Sequence, residues 1–481
     1  MRVETLIGPN PLPAPRAVDM RLVLAIGAGL YGLFMLLAGS LLNDPDSHWH
    51  VFVGEEILRS RAFPWTDGYS HTMAGSSWIA KEWLSQVAMA LAFRAGGWTG
   101  VAALAAGAGA LAFMILAHAL LRRLDWRPAL VLIGAAVALS APHALARPHL
   151  IALPVLVAWL VGLLDAAEAG RTPGFRLLPL MTLWANLHGS FMFGLALGAP
   201  LALEAMLRAT PADRSRVFSG WALFGLLAVG VACIHPYGPE VILAAFRVLG
   251  LDQAQAAIIE WRAHDFSRIE PFELVLLGGF ALALAFGIRV PFLRVIVIIG
   301  LTHMALAHVR HQTLLAIVGA LLLAPAIAAR LAPRPPPAPA RPAMAGLAAL
   351  AAAVAATAAT ASLGLARPNP RYIPSAALAA ARAAGATGPV LNDYAFGGWL
   401  ITQGVPTFFD GRTELYGGPF VVRTLRALDL SDVDGLMTLL DRHRIGWTLL
   451  TPQTPAVALL DRLPDWRRVH GDGVAVVHVR R

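Results

Sequence analysis

Asn43-Asp44-Pro45-Asp46-Ser47-His48-Trp49-His50 follows directly on an apolar run, Leu22 to Leu42. The run is long enough to cross a bilayer, since about 20 apolar residues at 1.5 Å rise span a hydrocarbon core of about 30 Å. Two carboxylates and two imidazoles therefore crowd the end of a span. Ionisable groups at a membrane boundary pair with one another, face a wet cavity or do chemistry. No small-residue cleavage site precedes the polar stretch, so the run reads as a retained span rather than a signal peptide.

Composition agrees with a membrane protein. The 481 residues are 57% hydrophobic and 14% charged, with a mean hydropathy of +0.63, where a soluble enzyme carries roughly a quarter charged residues. The formal net charge of +9 is carried by arginine, Lys81 being the one lysine, and is spread over breaks between apolar runs. That pattern orients helices in a membrane rather than binding nucleic acid. The single cysteine, Cys233, excludes an intrachain disulfide framework and a cysteine-ligated metal site.

Apolar runs near 20–42, 97–121, 128–142, 149–166, 175–187, 190–207, 218–234, 272–288, 291–307, 312–329 and 343–363 predict an α-helical polytopic protein with about 11 transmembrane helices. The segment 82–94 is amphipathic and reads as an interfacial helix. Alternate connections hold Arg122, Arg123 and Arg127, then Arg171 and Arg176, then Arg208, Arg214 and Arg216, then Arg289 and Arg294, then Arg330, Arg334 and Arg341. These are expected on the cytoplasmic side. The N-terminal segment 1–19 is then cytoplasmic, and an odd number of spans puts the tail outside.

The expected domains are a membrane domain over 20–363, including a first outer loop at 43–96, and a soluble domain over 364–481. In that tail Pro389-Val390-Leu391, Thr407-Phe408-Phe409, Trp447-Thr448-Leu449-Leu450 and Val474-Ala475-Val476-Val477 read as strands. Segments 431–444 and 453–463 have helical spacing, with Ser431 or Asp432 as N-cap. The tail is a small C-terminal α/β domain, extracytoplasmic by the charge alternation.

Histidine is distributed unevenly. Of fifteen, His48, His50, His71, His143, His149, His188, His235, His308 and His311 fall in or beside the expected outer connections. They imply a hydrated outward cavity for an anionic or polar ligand, lined by imidazole and guanidinium groups. Asp44-Pro-Asp46 is a carboxylate pair stiffened by proline. It can bind a divalent cation such as Mg or Mn, or supply one general base held by its neighbour; the plain alternative is a capping or turn pair.

His48 and His50 are two apart, poor spacing for one helical face but workable on a loop. Glu82 is either a second catalytic carboxylate or a partner for Lys81 or an arginine. Arg147-Pro-His149 and His308-Val-Arg310-His311 place a guanidinium beside histidine at a helix end, which suits a phosphate or pyrophosphate at the bilayer surface and equally suits anchoring of the helix ends at the interface. Asn186-Leu-His188-Gly189-Ser190 and His235-Pro-Tyr-Gly238 read as tight turns carrying one polar group inward. Phe409-Asp410-Gly411-Arg412-Thr-Glu414-Leu-Tyr416 reads as a self-satisfied Asp–Arg turn or a charged lid.

Taken together, Asp44-Pro-Asp46-Ser-His-Trp49-His50, then Gly54, Pro64, Asp67, Trp78 and Glu82-Trp83-Leu84, resemble a group of bacterial polytopic proteins. Asn186-Leu-His188-Gly, Glu260-Trp261, Arg310-His311, Asn392-Asp-Tyr-Ala-Phe-Gly-Gly398 and Asp410-Gly-Arg412 fit the same group. Those proteins are similar in layout to type C (GT-C) glycosyltransferases, the superfamily of protein O-mannosyltransferases, oligosaccharyltransferases and arabinosyltransferases. The resemblance implies transfer of a sugar from a polyprenyl-phosphate carrier to a glycan, lipid or protein acceptor at the outer face of the inner membrane. It also implies that Asp44 or Asp46 is the catalytic base or metal contact. Arg147, Arg310 and His311 would stabilise the leaving lipid phosphate, with His48, His50, His149, His188 and His235 beside the substrate.

Two other classes compete. A transporter or flippase of an anionic lipid-linked glycan needs polar groups at mid-membrane, and this chain offers mainly His118 and His303. A non-catalytic assembly protein that keeps the fold is the third.

Overall fold

The computed structural model describes residues 6–7, 16–249, 262–331 and 342–481. The chain divides into two compact units. One comprises Met1–Leu37, Ala102–Ile242 and Glu260–Leu365, and the other comprises Ala38–Val101, Leu243–Ile259 and Ala366–Arg481.

The first unit is helical. Six helices are long and apolar enough to cross a membrane among the described residues: Trp83–Leu121 (which begins in the second unit), Pro148–Glu168, Phe191–Arg208, Arg214–Ala232, Val309–Arg330 and Ala343–Ser362. The other expected spans are shorter helices, Met20–Leu36, Trp126–Ser140, Leu178–Leu187, Pro271–Ala285 and Phe292–Ala307. Local chemistry sets their ends. The Asp19 carboxylate accepts from the Arg21 backbone N–H at 2.9 Å, capping Met20–Leu36. Pro148 and Pro271 stand at helix starts, where the missing N–H costs nothing. Met20–Leu36 packs along Pro342–Ser362, tied by Tyr31 to Thr357 at 2.7 Å and by the Thr360 hydroxyl donating to the Met35 carbonyl at 3.0 Å.

Helix Trp83–Leu121 breaks at Gly96 and Gly97, the latter at φ 56°, a conformation glycine adopts without strain. This break separates the expected amphipathic segment from the expected span.

Several arginines read as orientation signals are ion-paired in the bundle. Arg294 donates to Glu204 at 2.8 and 3.0 Å, to Glu168 at 3.1 Å and to the Leu322 carbonyl at 3.1 Å. Arg208 donates to Glu204 at 2.9 Å. Arg123 reaches Glu168 and Asp165 at 2.8 and 2.7 Å, and Arg122 reaches Asp165 at 2.9 Å. Charges this deep are tolerable only when paired. Arg294→Leu leaves Glu204 and Glu168 short of a cation and is expected to cost about 3–5 kcal/mol. The check is the melting temperature of the detergent-solubilised protein.

The second unit is built on a four-stranded sheet: β1 (Val390–Asn392), β2 (Trp447–Leu450), β3 (Trp466–Gly471) and β4 (Val476–Arg480), in the order β1-β2-β4-β3. β1 and β2 are parallel, with Val390 opposite Trp447, and the other pairs are antiparallel. Both strands of the parallel pair are buried along their length, so their side chains alternate into two cores. Leu391 and Leu450 join Phe408, Phe409, Val421 and Leu436. Val390, Trp447 and Leu449 join Phe396, Leu400 and Val477.

The tail departs from expectation in two places and decides between two alternatives in a third. β3 was not anticipated, because Arg467 and Arg468 on an edge strand hide its periodicity. Asp432, not Ser431, caps Val433–Arg442, accepting from the Gly435 N–H at 2.8 Å. Thr407-Phe408-Phe409 is not a strand of the sheet. Thr407 instead bridges Ser70, with the His71 N–H donating to the Thr407 carbonyl and the Thr407 N–H to the Tyr69 carbonyl, both at 3.0 Å. Segment 66–77 is thus stitched into the unit that carries the sheet. The Thr72 hydroxyl adds a bond to the Phe408 carbonyl at 2.6 Å, and His71 Nε2 lies 2.9 Å from the Val390 carbonyl.

Candidate active site

The opening stretch turns from apolar run to helix. Ser47–Ser60 is helical, with Asp46 at its N-cap position, so His48 and His50 lie on a helix rather than a loop. Two residues apart on a helix means divergent directions, and their partners differ. His48 packs edge-on against Trp98 at 4.8 Å between ring centroids. His50 Nδ1 lies 3.4 Å from Gln86 Nε2, and its ring lies over Trp49.

Asp44 and Asp46 are both buried, at 2% and 5% exposure. The Ser47 hydroxyl donates to Asp44 Oδ2 at 2.9 Å. Asp46 is pressed onto the tail: a Cβ placed on Gly411 would lie 1.9 Å from Asp46 Oδ1. The neighbouring Pro45 carbonyl comes as close to Gly398, where a Cβ would lie 2.3 Å away.

Gly411 sits inside a buried charge cluster. Arg412 donates through Nε and Nη2 to Asp410 at 2.8 and 2.7 Å, and through Nη1 to Asp67 at 2.6 Å. Tyr416 and Thr407 hydroxyls donate to Asp410 Oδ2 at 2.7 and 2.9 Å. The guanidinium also lies 5.0 Å from the centre of the Tyr69 ring and 4.9 Å from that of Trp78, two cation–π contacts from rings set nearly perpendicular to each other. Burial pushes the Asp410 carboxyl up, but the Arg412 charge and its hydrogen bonds outweigh that and hold it below the usual carboxylate range. The Asp–Arg turn is therefore self-satisfied, as the first of its two sequence readings has it, with Asp67 of the first loop as an added member.

Glu82 is half-buried at the start of helix Trp83–Leu121. Its neighbour Lys81 forms its ion pair with Glu414, two residues beyond Arg412, so Lys81 ties the first loop to the same tail segment.

Burial lowers the His48 pKa to about 4, so the imidazole is neutral at physiological pH and can serve as hydrogen-bond donor or acceptor, not as a cation. Its Nε2 is buried with no hydrogen-bond partner among the described residues. The unfolded chain takes up a proton on this residue below about pH 6.5 and the folded chain does not. Stability from His48 is thus present above that pH and falls as pH drops towards 4; His71 is lowered by burial in the same direction. His48→Phe keeps a ring against Trp98 and is expected to flatten the fall of melting temperature between pH 7 and 5.

In the helical unit, the remaining candidates stand at helix ends that touch one another. Arg147 precedes the helix that starts at Pro148, and His149 lies in its first turn. His149 Nε2 is 3.0 Å from the His143 carbonyl, and its ring is 6.1 Å from that of His188. His188 ends helix Leu178–Leu187, with Nδ1 2.8 Å from the Ser190 hydroxyl. Asn186 donates to the Ile234 carbonyl at 2.9 Å, joining this turn to the one at His235, whose Nδ1 accepts from the Tyr237 N–H at 3.3 Å. Val309-Arg310-His311 is a single 3-10 turn before helix Gln312–Arg330. The His308 and His311 rings are 5.6 Å apart.

Gln312 connects His143 and His264, its Oε1 3.3 Å from His143 Nε2 and its Nε2 3.4 Å from His264 Nδ1. Neither Gln312 nor His264 stood among the candidate site residues. A glutamine directly after Arg310-His311 was the available signal. Glu260 and Trp261 lie outside the described residues.

As a cation site the carboxylate pair is a poor fit. Asp44 engages Ser47, Asp46 packs on Gly411, and no three His, Cys, Asp or Glu side chains converge as a metal site among the described residues.

No family model matches the sequence, and no curated protein matches it. Solved structures do match. The archaeal oligosaccharyltransferase AglB from Archaeoglobus fulgidus, in complex with an inhibitory peptide and a dolichol-phosphate, superposes with a TM-score of 0.55 at 11% identity, over 90% of this chain and 69% of that one. Its apo form gives 0.53 at 11% identity, over 89% and 69%. ArnT from Cupriavidus metallidurans bound to undecaprenyl phosphate gives 0.49 at 15% identity, over 95% and 97%. The chain thus has a fold like that of membrane glycosyltransferases of the GT-C type, and the resemblance read in the sequence holds at the level of fold.

Proposed function

We propose that this chain transfers a sugar from a polyprenyl-phosphate-linked donor to an acceptor at the outer face of the inner membrane. The observation that carries the reading is the buried, clamped Asp44-Pro45-Asp46 turn in a chain of GT-C-like fold. Buried carboxylates of this kind are costly unless they bond or react. The AglB neighbour holds a dolichol-phosphate, which supports a lipid phosphate as the carrier.

The reaction balances without further reagents. The acceptor hydroxyl oxygen forms a bond to the anomeric carbon, and the bond from that carbon to the phosphate oxygen breaks. The hydroxyl proton passes to a carboxylate of the turn, Asp44 or Asp46, and polyprenyl phosphate leaves. Arg147 and Arg310, with His149, His188, His235 and His311, bind the lipid phosphate; guanidinium groups suit it through paired charge-assisted hydrogen bonds. Glu82 is a second candidate catalytic carboxylate, and His48, neutral at physiological pH, provides hydrogen bonds rather than charge, with His50 beside it on the same helix.

On this reading the arginine-bearing connections face the cytoplasm and the tail faces the periplasm, with about eleven crossings. The two roles separate experimentally. Arg147→Ala and Arg310→Ala are expected to weaken binding of undecaprenyl phosphate by about 10- to 100-fold each, the loss for a charge-assisted contact. Titration of the nanodisc-embedded protein measures this, and unchanged affinity in both variants contradicts the phosphate assignment.

A further inference from the structure

Within five consecutive residues of the tail, Asp410 to Glu414, three contact the first loop inside one compact unit. Gly411 lies against the Asp46 carboxylate, Arg412 bonds Asp67 and lies over Tyr69 and Trp78, and Glu414 pairs with Lys81. Helix Tyr394–Thr402 carries two consecutive glycines in its interior, where glycine is unfavourable relative to alanine. Both have a close neighbour. A Cβ on Gly397 would lie 2.5 Å from Asp410 Cβ, and one on Gly398 would lie 2.3 Å from the Pro45 carbonyl oxygen. This helix therefore fits against Asp410 on one side and against the Asp-Pro-Asp turn on the other. Neither Gly398 nor Gly411 has a positive φ, so what demands glycine at these positions is space, not backbone conformation.

We infer that Gly398 and Gly411 are positioning residues for the carboxylate turn. They form a seat for Pro45 and Asp46, and the Arg412 fork on Asp410 and Asp67 holds that seat against the first loop. The inference rests on the proposed transferase reading for its catalytic consequence, but the seat is a physical claim that stands by itself. A methyl group at Gly411 must displace the Asp46 carboxylate, and displacements of about 1 Å at a reacting group cost of order 100-fold in rate.

The test uses the full-length protein in nanodiscs. Gly411→Ala is compared with Gly446→Ala, a control with an equally tight contact elsewhere in the unit, where a Cβ would lie 2.0 Å from the Thr387 carbonyl oxygen. Backbone hydrogen exchange is read at the first turn of helix Ser47–Ser60, where the His50 N–H donates to the Asp46 carbonyl at 3.1 Å. Gly411→Ala is expected to speed exchange there about tenfold or more, and Gly446→Ala to leave it unchanged. Because the clash is with the carboxylate, the double variant Gly411→Ala/Asp46→Ala is expected to recover slow exchange and the melting temperature, a non-additive result. That double variant also decides the matter if Gly411→Ala alone does not fold.

With undecaprenyl-phosphate-linked sugars as probes, Gly411→Ala is expected to lower kcat about tenfold or more at unchanged KM. Unchanged exchange in Gly411→Ala, or additive losses in the double variant, overturns the seat. Faster exchange with wild-type kcat overturns its positioning role. Wild-type protein that turns over no donor counts against the transferase reading, and the exchange comparison still decides the seat.

Discussion

Arg412→Leu is expected to unfold the sheet-bearing unit or to lower its melting temperature by about 10 °C or more. The guanidinium is fully buried and serves two carboxylates, those of Asp410 and Asp67. Removing one partner of a buried pair costs about 3–5 kcal/mol because the other charge is left uncompensated, and here two are left. At about 2–4 °C per kcal/mol for a unit of this size, the shift follows. Arg412→Lys keeps the charge but loses the fork that reaches Asp410 twice and Asp67 once, so its loss should be smaller and still clear.

The pH dependence distinguishes this mechanism from a mere loss of packing. In the wild type Asp410 is held below the usual carboxylate range, so its contribution is present at neutral pH and is lost as pH falls below about 4. In Arg412→Leu the sign reverses. Buried carboxylates without a cation bind protons more readily folded than unfolded, and mild acid should recover stability. Thermal melts from pH 7 to 4.5 check this, and parallel curves for wild type and Arg412→Leu contradict it.

The second large effect is catalytic. Asp44→Asn and Asp46→Asn keep side-chain shape, so Asp46→Asn still packs on Gly411 while losing the charge. If a carboxylate of this turn takes the acceptor proton, at least one of the two variants loses about 10²- to 10⁴-fold in kcat, the usual worth of a positioned general base. Melting temperatures close to wild type are expected for the variant that loses only chemistry. A variant that loses stability and activity together instead identifies the carboxylate whose charge the fold itself needs.

Much of the helical architecture was legible because apolar runs and terminal chemistry are local signals. Proline at helix starts, Asp432 as an N-cap and the apolar strands β1 and β2 all follow from residues within a few positions of one another. The pairing of the first loop with the tail was not legible. Asp67 and Arg412 are 345 residues apart, and neither carries a periodicity that points to the other.

Thr407-Phe408-Phe409 was misread for the same reason, since its apolar character serves packing beside Ser70 and Thr72 rather than a place in the sheet. The arginines of the helical unit were read through the charge rule alone, which weighs basic residues and ignores their carboxylate partners. Glu204, Glu168 and Asp165 therefore went unnoticed beside Arg294, Arg208 and Arg123. At the carboxylate turn, composition marked Asp44 and Asp46 as unusual. It did not show that two distant glycines, Gly398 and Gly411, lie against Pro45 and Asp46.

The central claim is that a carboxylate of the Asp44-Pro45-Asp46 turn drives sugar transfer from a lipid phosphate. The most direct measurement follows release of polyprenyl phosphate from a panel of undecaprenyl-phosphate-linked sugars, with purified full-length wild type, Asp44→Asn and Asp46→Asn in nanodiscs. The account predicts release by the wild type and a drop of about 100-fold or more in at least one variant whose melting temperature is unchanged. Wild-type rates in both variants contradict it.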